Sequence, residues 1–416
     1  MTIEKLGRQA REAFSIISRT SSIARRGAVN AVADQLESSF EMIYTANQND
    51  IQLGRDTGLS ESLIDRLTLS ESRLTGLVAD LRALAALPDP IGSAFDERTL
   101  PNGLRISRRR VPLGVLGVIY ESRPNVTIDV AALAVKTGNT VILRGGKETT
   151  QTNLVLVEII KNALRSIELP ENCVQFIDSP DRKLLGEMLI LNEYIDVIVP
   201  RGGNSLHQYC RKNSNIPVIT GGIGVCHLYV DSSADLDAAL PVIHNAKTQR
   251  PSVCNSLDTL LVHESIAAEF LPRVVENLSD AGVTFRAQPD VLPMIDHADV
   301  QPAGPDDFDT EWLSLVLGLV IVPDLNTALT FIHKHSTHHS DGILTSTQEH
   351  ADRFVDEVDS AAVYVNASTR FTDGAQLGLG AEVAVSTQRL HARGPMGLPE
   401  LTTYKWVVIG DYTVRR

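Results

Sequence analysis

Apolar positions set out the architecture before any single residue suggests a chemistry. Through residue 88 they recur at helical spacing, with Leu74, Leu77, Val78, Leu81 and Leu84 on one face, Thr68 and Glu71 as a candidate capping box, and Pro88 and Pro90 as the stop. From Asp96 to Arg110 the pattern turns polar and basic. Asn102-Gly103 is a hairpin signal there, and Leu104, Ile106 and Ser107 begin the alternation of an exposed strand. From Val111 onward short apolar runs (Val115 to Tyr120, Val141 to Leu143, Val174 to Ile177, Asp196 to Val199, His227 to Val230) alternate with helical stretches such as Asn153 to Ser166 and Leu236 to Ala246. Such alternation predicts a parallel, doubly wound α/β sheet, with nucleotide binding as its natural use.

The alternation then repeats. Strands are predicted at Thr259 to Val262, Leu319 to Val322 and Gly342 to Thr345, with helices at Ile266 to Leu278 and Leu325 to His333, which makes a second α/β unit. Leu401 to Val414 alternates like a strand or hairpin that adds to a sheet edge. A chain of 416 residues is long enough for these two domains and an appendage.

Composition narrows the partners. With 38 basic and 51 acidic residues the net charge is −13, which disfavours nucleic acid and anionic membranes and requires a local basic pocket for any anionic substrate. The cysteines at 173, 210, 226 and 254 have neither CxxC nor zinc-like spacing, and a chain this large needs no disulfide staples. Met1 to Gly7 lacks the apolar run of a signal peptide, and no stretch approaches the roughly 18 apolar residues of a span. A soluble, cytoplasmic protein is the expectation.

Candidate chemistry centres on Cys254. It lies between the cationic run Lys247-Thr248-Gln249-Arg250 and a β-type segment, and Pro251 keeps the approach extended, which predicts a loop. Cysteine attacks as thiolate, and Lys247 and Arg250 are candidate sources of the field that ionises it. The alternative is a small buried hydrophobe. Arg144-Gly145-Gly146-Lys147 and Arg201-Gly202-Gly203-Asn204 each follow a strand, where paired glycines let amides approach phosphate; ordinary strand-to-helix turns are the plainer reading. Arg108 to Arg110 is either a phosphate patch or a solvated or subunit-facing run. His335, His338, His339 and Asp341 straddle a helix end and a loop, and no metal site is expected from them. Ser368 to Phe371 lies in a loop that offers Arg370 as a fork for a carboxylate.

Taken together, several motifs are familiar. Val111-Pro112-Leu113-Gly114-Val115, Glu121-Ser122-Arg123-Pro124-Asn125-Val126-Thr127, Lys136-Thr137-Gly138-Asn139, Arg144-Gly145-Gly146-Lys147-Glu148, Ile219 to His227, Lys247 to Asn255 and Val365 to Phe371 resemble the γ-glutamyl phosphate reductase family, a divergent branch of the aldehyde dehydrogenase superfamily, nearly end to end.

The resemblance implies an aldehyde dehydrogenase-like fold of two doubly wound α/β domains plus a small β oligomerisation extension. Residues 1–98 and 113–230 would bind NADPH, 231–372 would carry catalysis, and 99–112 with 385–416 would form the extension of a homo-oligomer. It further implies NADPH-dependent reduction of L-glutamate 5-phosphate to L-glutamate 5-semialdehyde in proline biosynthesis, in functional neighbourhood with glutamate 5-kinase. Cys254 would be the nucleophile, with the Asn125 side chain and the Cys254 backbone N–H on the oxyanion. Glu311 would bind the nicotinamide ribose, Arg144 and Lys147 the adenosine ribose or its 2′-phosphate, and Gly145, Gly146, Arg201, Gly202, Gly203, Gly221 and Gly222 the rest of the cofactor. Arg123, Ser368, Arg370 and Phe371 would bind substrate. Oxidative relatives carry a water-activating glutamate before a Gly-Gly pair, whereas here the stretch reads Ile219-Thr220-Gly221-Gly222. That departure favours acyl-phosphate reduction over the two alternatives, an oxidative aldehyde dehydrogenase and an inactive binding homologue.

Overall fold

The structure, a computed structural model, describes residues 2–415. Its contacts divide the chain into two units: Met1–Thr220 with Gly378–Ala384 and Met396–Arg416, and Gly221–Leu377 with Val385–Pro395.

The first unit opens with helices α1 (Ile3–Ile17), α2 (Ser22–Ser38), α3 (Phe40–Asp56), α4 (Glu61–Leu67) and α5 (Glu71–Ala86). The residue that caps α5 is Ser70, whose Oγ accepts the Arg73 N–H at 3.3 Å, whereas Thr68 closes α4. A hairpin follows, β1 (Ala94–Thr99) and β2 (Arg105–Pro112), turning at the predicted Asn102-Gly103, where Gly103 has φ +84°. Next come β3 (Val115–Tyr120), α6 (Asn125–Lys136), β4 (Thr140–Arg144), α7 (Thr150–Ser166), β5 (Val174–Phe176), α8 (Arg182–Leu189), β6 (Val197–Arg201) and α9 (Asn204–Asn213). Their four strands form a parallel sheet in the order β5-β4-β3-β6. Every residue of β3 is buried, as a central parallel strand covered on both faces requires. Ile3, Leu6 and Ala10 of α1 pack with Val115, Ile119, Ile142 and Ile198 on one side of this sheet.

The second unit contains β7 (Cys226–Val230), α10 (Leu236–Thr248), β8 (Leu257–His263), α11 (Glu264–Ser279), β9 (Thr284–Ala287), β10 (Val300–Pro302), β11 (Val316–Val322), α12 (Leu325–His335), β12 (Ser340–Leu344), α13 (Gln348–Glu357) and β13 (Ala362–Val365). All seven strands are parallel, in the order β10-β9-β11-β8-β7-β12-β13. Leu260 joins the core under α10 and α11, while its neighbour Leu261 joins the core under α12, so the two-residue strand period sends successive side chains to opposite helical layers. A two-stranded ladder of β14 (Val385–Ser386) and β15 (Gly394–Pro395) completes the unit.

The division falls at 220/221 rather than the expected 230/231. The physical reason is pairing: β7 hydrogen-bonds to β8 and β12, so it belongs to the second sheet. The extension is likewise larger than 99–112, because β1 already pairs with β2 from Ala94, and β16 (Thr402–Ile409) pairs with β2 on the other side. This three-stranded sheet absorbs the arginine run. Arg108 lies 4.8 Å from the Tyr404 and Trp406 ring centroids and 3.2 Å from Asp96, and Arg110 Nη1 donates to the Pro399 carbonyl at 3.1 Å and to Thr402 Oγ1 at 2.9 Å. Arg108 and Arg110 are thus tied into the sheet and do not form an open phosphate patch.

Among the described residues no helix is long and apolar enough to cross a membrane.

Candidate active site

Cys254 occupies the loop between α10 and β8, as Pro251 predicted. It is the one cysteine that is not buried. Burial pushes the Cys173 thiol up to about 12 and the Cys210 thiol up to about 11, the latter against the opposing charge of Arg144. Cys226 rises well above the ordinary thiol value through burial, with Asp258, Asp341, Cys254 and Glu311 adding to the effect. Three of the four thiols are therefore disabled as nucleophiles by desolvation. Cys254 alone among the four is partly open to solvent.

The loop is held by its backbone. The Cys226 thiol donates to the Cys254 carbonyl at 3.2 Å. Gly224 lies directly against that carbonyl, and its N–H donates to Glu311 Oε1 at 3.0 Å. Asp258, on β8, accepts the N–H of Trp312 at 3.2 Å and of Cys226 at 3.4 Å, which ties the segment after Glu311 to the strand that follows the Cys254 loop. Gly221 pairs with Ser386 in an isolated antiparallel bridge, and a Cβ there would lie 2.1 Å from the Val385 carbonyl oxygen. Gly222 adopts φ +84°.

One expectation fails here. Lys247 does not face the thiol. Helix α10 continues to Thr248, two residues past the predicted end, and this turns Lys247 into the core. Its Nζ donates to the Leu257 carbonyl at 2.8 Å and lies 3.8 Å from Asp258. Burial lowers the Lys247 ammonium to about 8, with Asp258 opposing the shift. Arg370 is a cation whose charge interacts with Cys254, and Arg250 lies close enough to act on Arg370 in turn.

The 368–371 turn is joined to the Cys254 loop by a residue that sequence reasoning assigned no role. Asn255 Nδ2 donates to the carbonyls of Arg370 at 3.3 Å and Thr372 at 2.9 Å, and its own carbonyl accepts Thr369 Oγ1–H at 2.7 Å. Its position next to Cys254 was its only signal. Arg370 Nε donates to Gln249 Oε1 at 2.8 Å. Burial lowers the Arg370 guanidinium, with Arg250 adding to that and Cys254 and Asp373 opposing it. Ser368 is buried and its Oγ accepts the Arg370 N–H at 3.3 Å, whereas Phe371 is exposed.

The first unit holds the other candidates. Asn125 is the first residue of α6, and its Nδ2 donates to Asp129 Oδ2 one turn on, at 3.0 Å. Arg123 lies in the preceding turn, half-buried. Near the glycine pairs two carboxylates act as braces: Glu148 Oε1 accepts the Ser122 N–H at 2.8 Å and its Oγ–H at 2.6 Å, and Glu121 Oε2 accepts the Gly203 N–H at 3.0 Å. Arg201 ends β6, and its carbonyl accepts the Glu121 N–H at 3.1 Å.

These surroundings fit a dinucleotide. Helix α9 starts after Gly202-Gly203 with no side-chain cap, and the space beside Gly203 is open, so the amides of Asn204 and Ser205 offer their donors to an anion. Arg144 Nη2 reaches the Pro180 carbonyl at 3.2 Å, while its buried Nε has no partner. Lys147 is exposed at the start of a short 3-10 turn beside Gly145 and Gly146.

The histidines do not converge. His335 contacts Asp309 at 2.7 Å, His338 the Asp359 carbonyl at 2.9 Å, and Asp341 the buried His227 at 2.8 Å.

The aldehyde dehydrogenase family model matches residues 1–303. A γ-glutamyl phosphate reductase of Aeromonas salmonicida is 56% identical over 415 residues, covering the whole of both chains. The crystal structure of γ-glutamyl phosphate reductase from Thermotoga maritima is 46% identical and superposes with a TM-score of 0.96 over 99% of each chain. That from Saccharomyces cerevisiae is 30% identical, with a TM-score of 0.56 over 100% of this chain and 99% of the other. With a single reactive-type thiol in its loop and relatives matched along their full length, the chain belongs to the γ-glutamyl phosphate reductases within the aldehyde dehydrogenase family.

Proposed function

We propose that the protein reduces L-glutamate 5-phosphate to L-glutamate 5-semialdehyde and phosphate, with NADPH as reductant, in proline biosynthesis. The observation that carries this reading is the Cys254 loop: a half-buried cysteine where the other three are buried, braced by Gly224, Glu311 and Asn255, with no carboxylate in Ile219-Thr220-Gly221-Gly222. The names of the full-length relatives, γ-glutamyl phosphate reductases, support the same substrate.

Cys254 Sγ attacks the acyl carbon of the γ-glutamyl phosphate, forming a C–S bond, and the carbon–oxygen bond to phosphate breaks. Asn125 Nδ2 and the Cys254 backbone N–H take the oxyanion of the tetrahedral species, each donor worth on the order of 3 kcal/mol. Arg370 receives the substrate's α-carboxylate, with Ser368 and Phe371 in the same turn, and Arg123 receives its phosphate or carboxylate. NADPH, held by the residues named below, would supply a hydride to the thioester carbon. Collapse of the resulting thiohemiacetal returns the Cys254 thiolate and frees the aldehyde, which cyclises spontaneously. With no carboxylate at residues 219–222 to activate water, the thioester is spared hydrolysis.

Members of the aldehyde dehydrogenase family use a nicotinamide cofactor. In this reading Glu311 holds its nicotinamide ribose. Arg144 and Lys147 hold the adenosine ribose and 2′-phosphate that select NADPH, and Arg201 with the glycines at 145, 146, 202, 203, 221 and 222 lets the backbone approach the rest. A cytoplasmic homo-oligomer supplied by glutamate 5-kinase completes the proposal. The exposed Tyr404, Trp406, Val408 and Ile409 of β16 suit a subunit contact.

The deciding experiment runs the reaction backwards. NADPH formation from glutamate semialdehyde should require phosphate and vanish in Cys254→Ala. Phosphate-independent turnover would overturn the assignment.

A further inference from the structure

The oxyanion role of Asn125 leaves one neighbour unexplained. Asp129 sits one helical turn along α6, half-buried, and its Oδ2 accepts one Asn125 amide hydrogen at 3.0 Å. An ionised carboxylate only accepts hydrogen bonds, so it fixes which end of the carboxamide faces it, and a primary amide keeps a second N–H for another acceptor. The start of α6 is itself rigid. Tyr120 OH and Thr127 Oγ1 lie 2.6 Å apart, Thr127 Oγ1 donates to Asn153 Oδ1 at 2.8 Å, and Asn153 Nδ2 donates to Thr149 Oγ1 at 2.9 Å. This buried ladder ties α6 to β3 and α7. A side-chain bond made on so fixed a helix sets the direction of the carboxamide.

We propose that Asp129 is a positioning residue for catalysis, holding the Asn125 carboxamide in the one orientation that presents its second N–H to the developing oxyanion. The inference rests on the oxyanion reading of Asn125.

The surroundings give the arrangement a pH signature. Burial raises the Asp129 carboxyl to about 7. Its bond from Asn125 and the charge of Arg201 on β6 oppose that shift, while Asp80 on α5 and Glu382 add to it. Above that value the carboxylate is an acceptor only. Below it the protonated acid can also donate, and the carboxamide is free to turn its oxygen inward.

The test uses Asn125→Ala, Asp129→Ala, Asp129→Asn and the Asn125→Ala/Asp129→Ala double variant. The rate of Cys254 alkylation by iodoacetamide, measured across pH, serves as control for the fold and for the thiol. Asp129→Ala should lower kcat about 10-fold with KM within twofold, since misdirecting one donor costs less than deleting it. Asp129→Asn, whose amide donates as well as accepts, should show the reduced kcat of the protonated acid at every pH and lose the component of the kcat profile that titrates near 7. Alkylation should match the wild type in both, and the double variant should be no slower than Asn125→Ala. A wild-type kcat in Asp129→Ala beside a slow Asn125→Ala overturns the positioning role alone. A wild-type kcat in Asn125→Ala overturns the oxyanion reading and the proposal with it. A profile unchanged in Asp129→Asn, or additive losses in the double variant, also overturns the positioning role.

Discussion

Gly224 and Cys254 meet backbone to backbone: a Cβ on Gly224 would lie 1.5 Å from the Cys254 carbonyl oxygen and 3.2 Å from its Cα. Neither atom can rotate away as a side chain would. Gly224→Ala must therefore move the nucleophile loop or release the Gly224 N–H from Glu311, 3.0 Å away. Because misplacement of reacting groups by about 1 Å costs on the order of 100-fold in rate, kcat should fall by about that factor. Steady-state kinetics with far-ultraviolet circular dichroism as fold control would check this. Unchanged turnover would mean that the close approach carries no catalytic weight.

Arg370 gives a contrasting signature. Its Nε is fixed by Gln249 at 2.8 Å, and its backbone by Asn255, so the guanidinium is pre-oriented. Arg370→Ala should raise KM for the acyl phosphate at least about 10-fold, the range of a lost charge-assisted bond. Gln249→Ala should show a smaller rise in the same parameter. An unchanged KM in Arg370→Ala would remove the residue from the carboxylate site.

What the sequence made legible, and what it hid, has a physical pattern. Val115 to Tyr120 reads correctly because a strand buried on both faces is an unbroken apolar run. Helix α13 gives little signal, since only Ala351 and Phe354 among its ten residues are buried, and the short edge strands β9 and β10 give less. In the site, the thiol and its loop were readable from residue type and Pro251. The braces were not. Gly224 acts through its missing side chain and its N–H, and Asn255 through bonds to carbonyls of a turn more than a hundred residues away. Backbone partners leave no mark in residue identity. Lys247 misled for the opposite reason, being adjacent to the loop in sequence yet turned inward by one more half-turn of helix.

That inward lysine makes its own prediction. Lys247 and Asp258 are both buried at a separation of 3.8 Å, and burial raises the Asp258 carboxyl to about 7, with Lys247 opposing the shift. Burial works against both charges, and their attraction offsets only part of it. Lys247→Met strands the carboxylate and should destabilise the protein by about 3 kcal/mol in denaturant unfolding. Lys247→Met/Asp258→Asn should lose less than the two single losses combined, since the second change removes the stranded charge. Strict additivity would show that the pair is not coupled.

His207, on α9, is held neutral by its surroundings. It is 7% exposed on α9, its Nδ1 has no partner, and burial, with Arg201 adding to it, lowers the imidazole from 6.5 to about 4 against a bond to the Gly202 backbone. The folded protein thus refuses a proton that the unfolded chain accepts between those values. Stability from this group is complete above pH 6.5 and is lost as pH falls toward 4. Carboxylates titrate across the same range, Asp129 and Asp258 near its upper end, so the informative quantity is a difference. Unfolding midpoints of wild type and His207→Gln, measured from pH 7.5 down to about 4, should diverge in slope below 6.5, with the variant losing stability less steeply. Above 6.5 the two slopes should run parallel, whatever the offset left by the substitution itself. Parallel slopes through the whole range would place the acid sensitivity of this unit elsewhere.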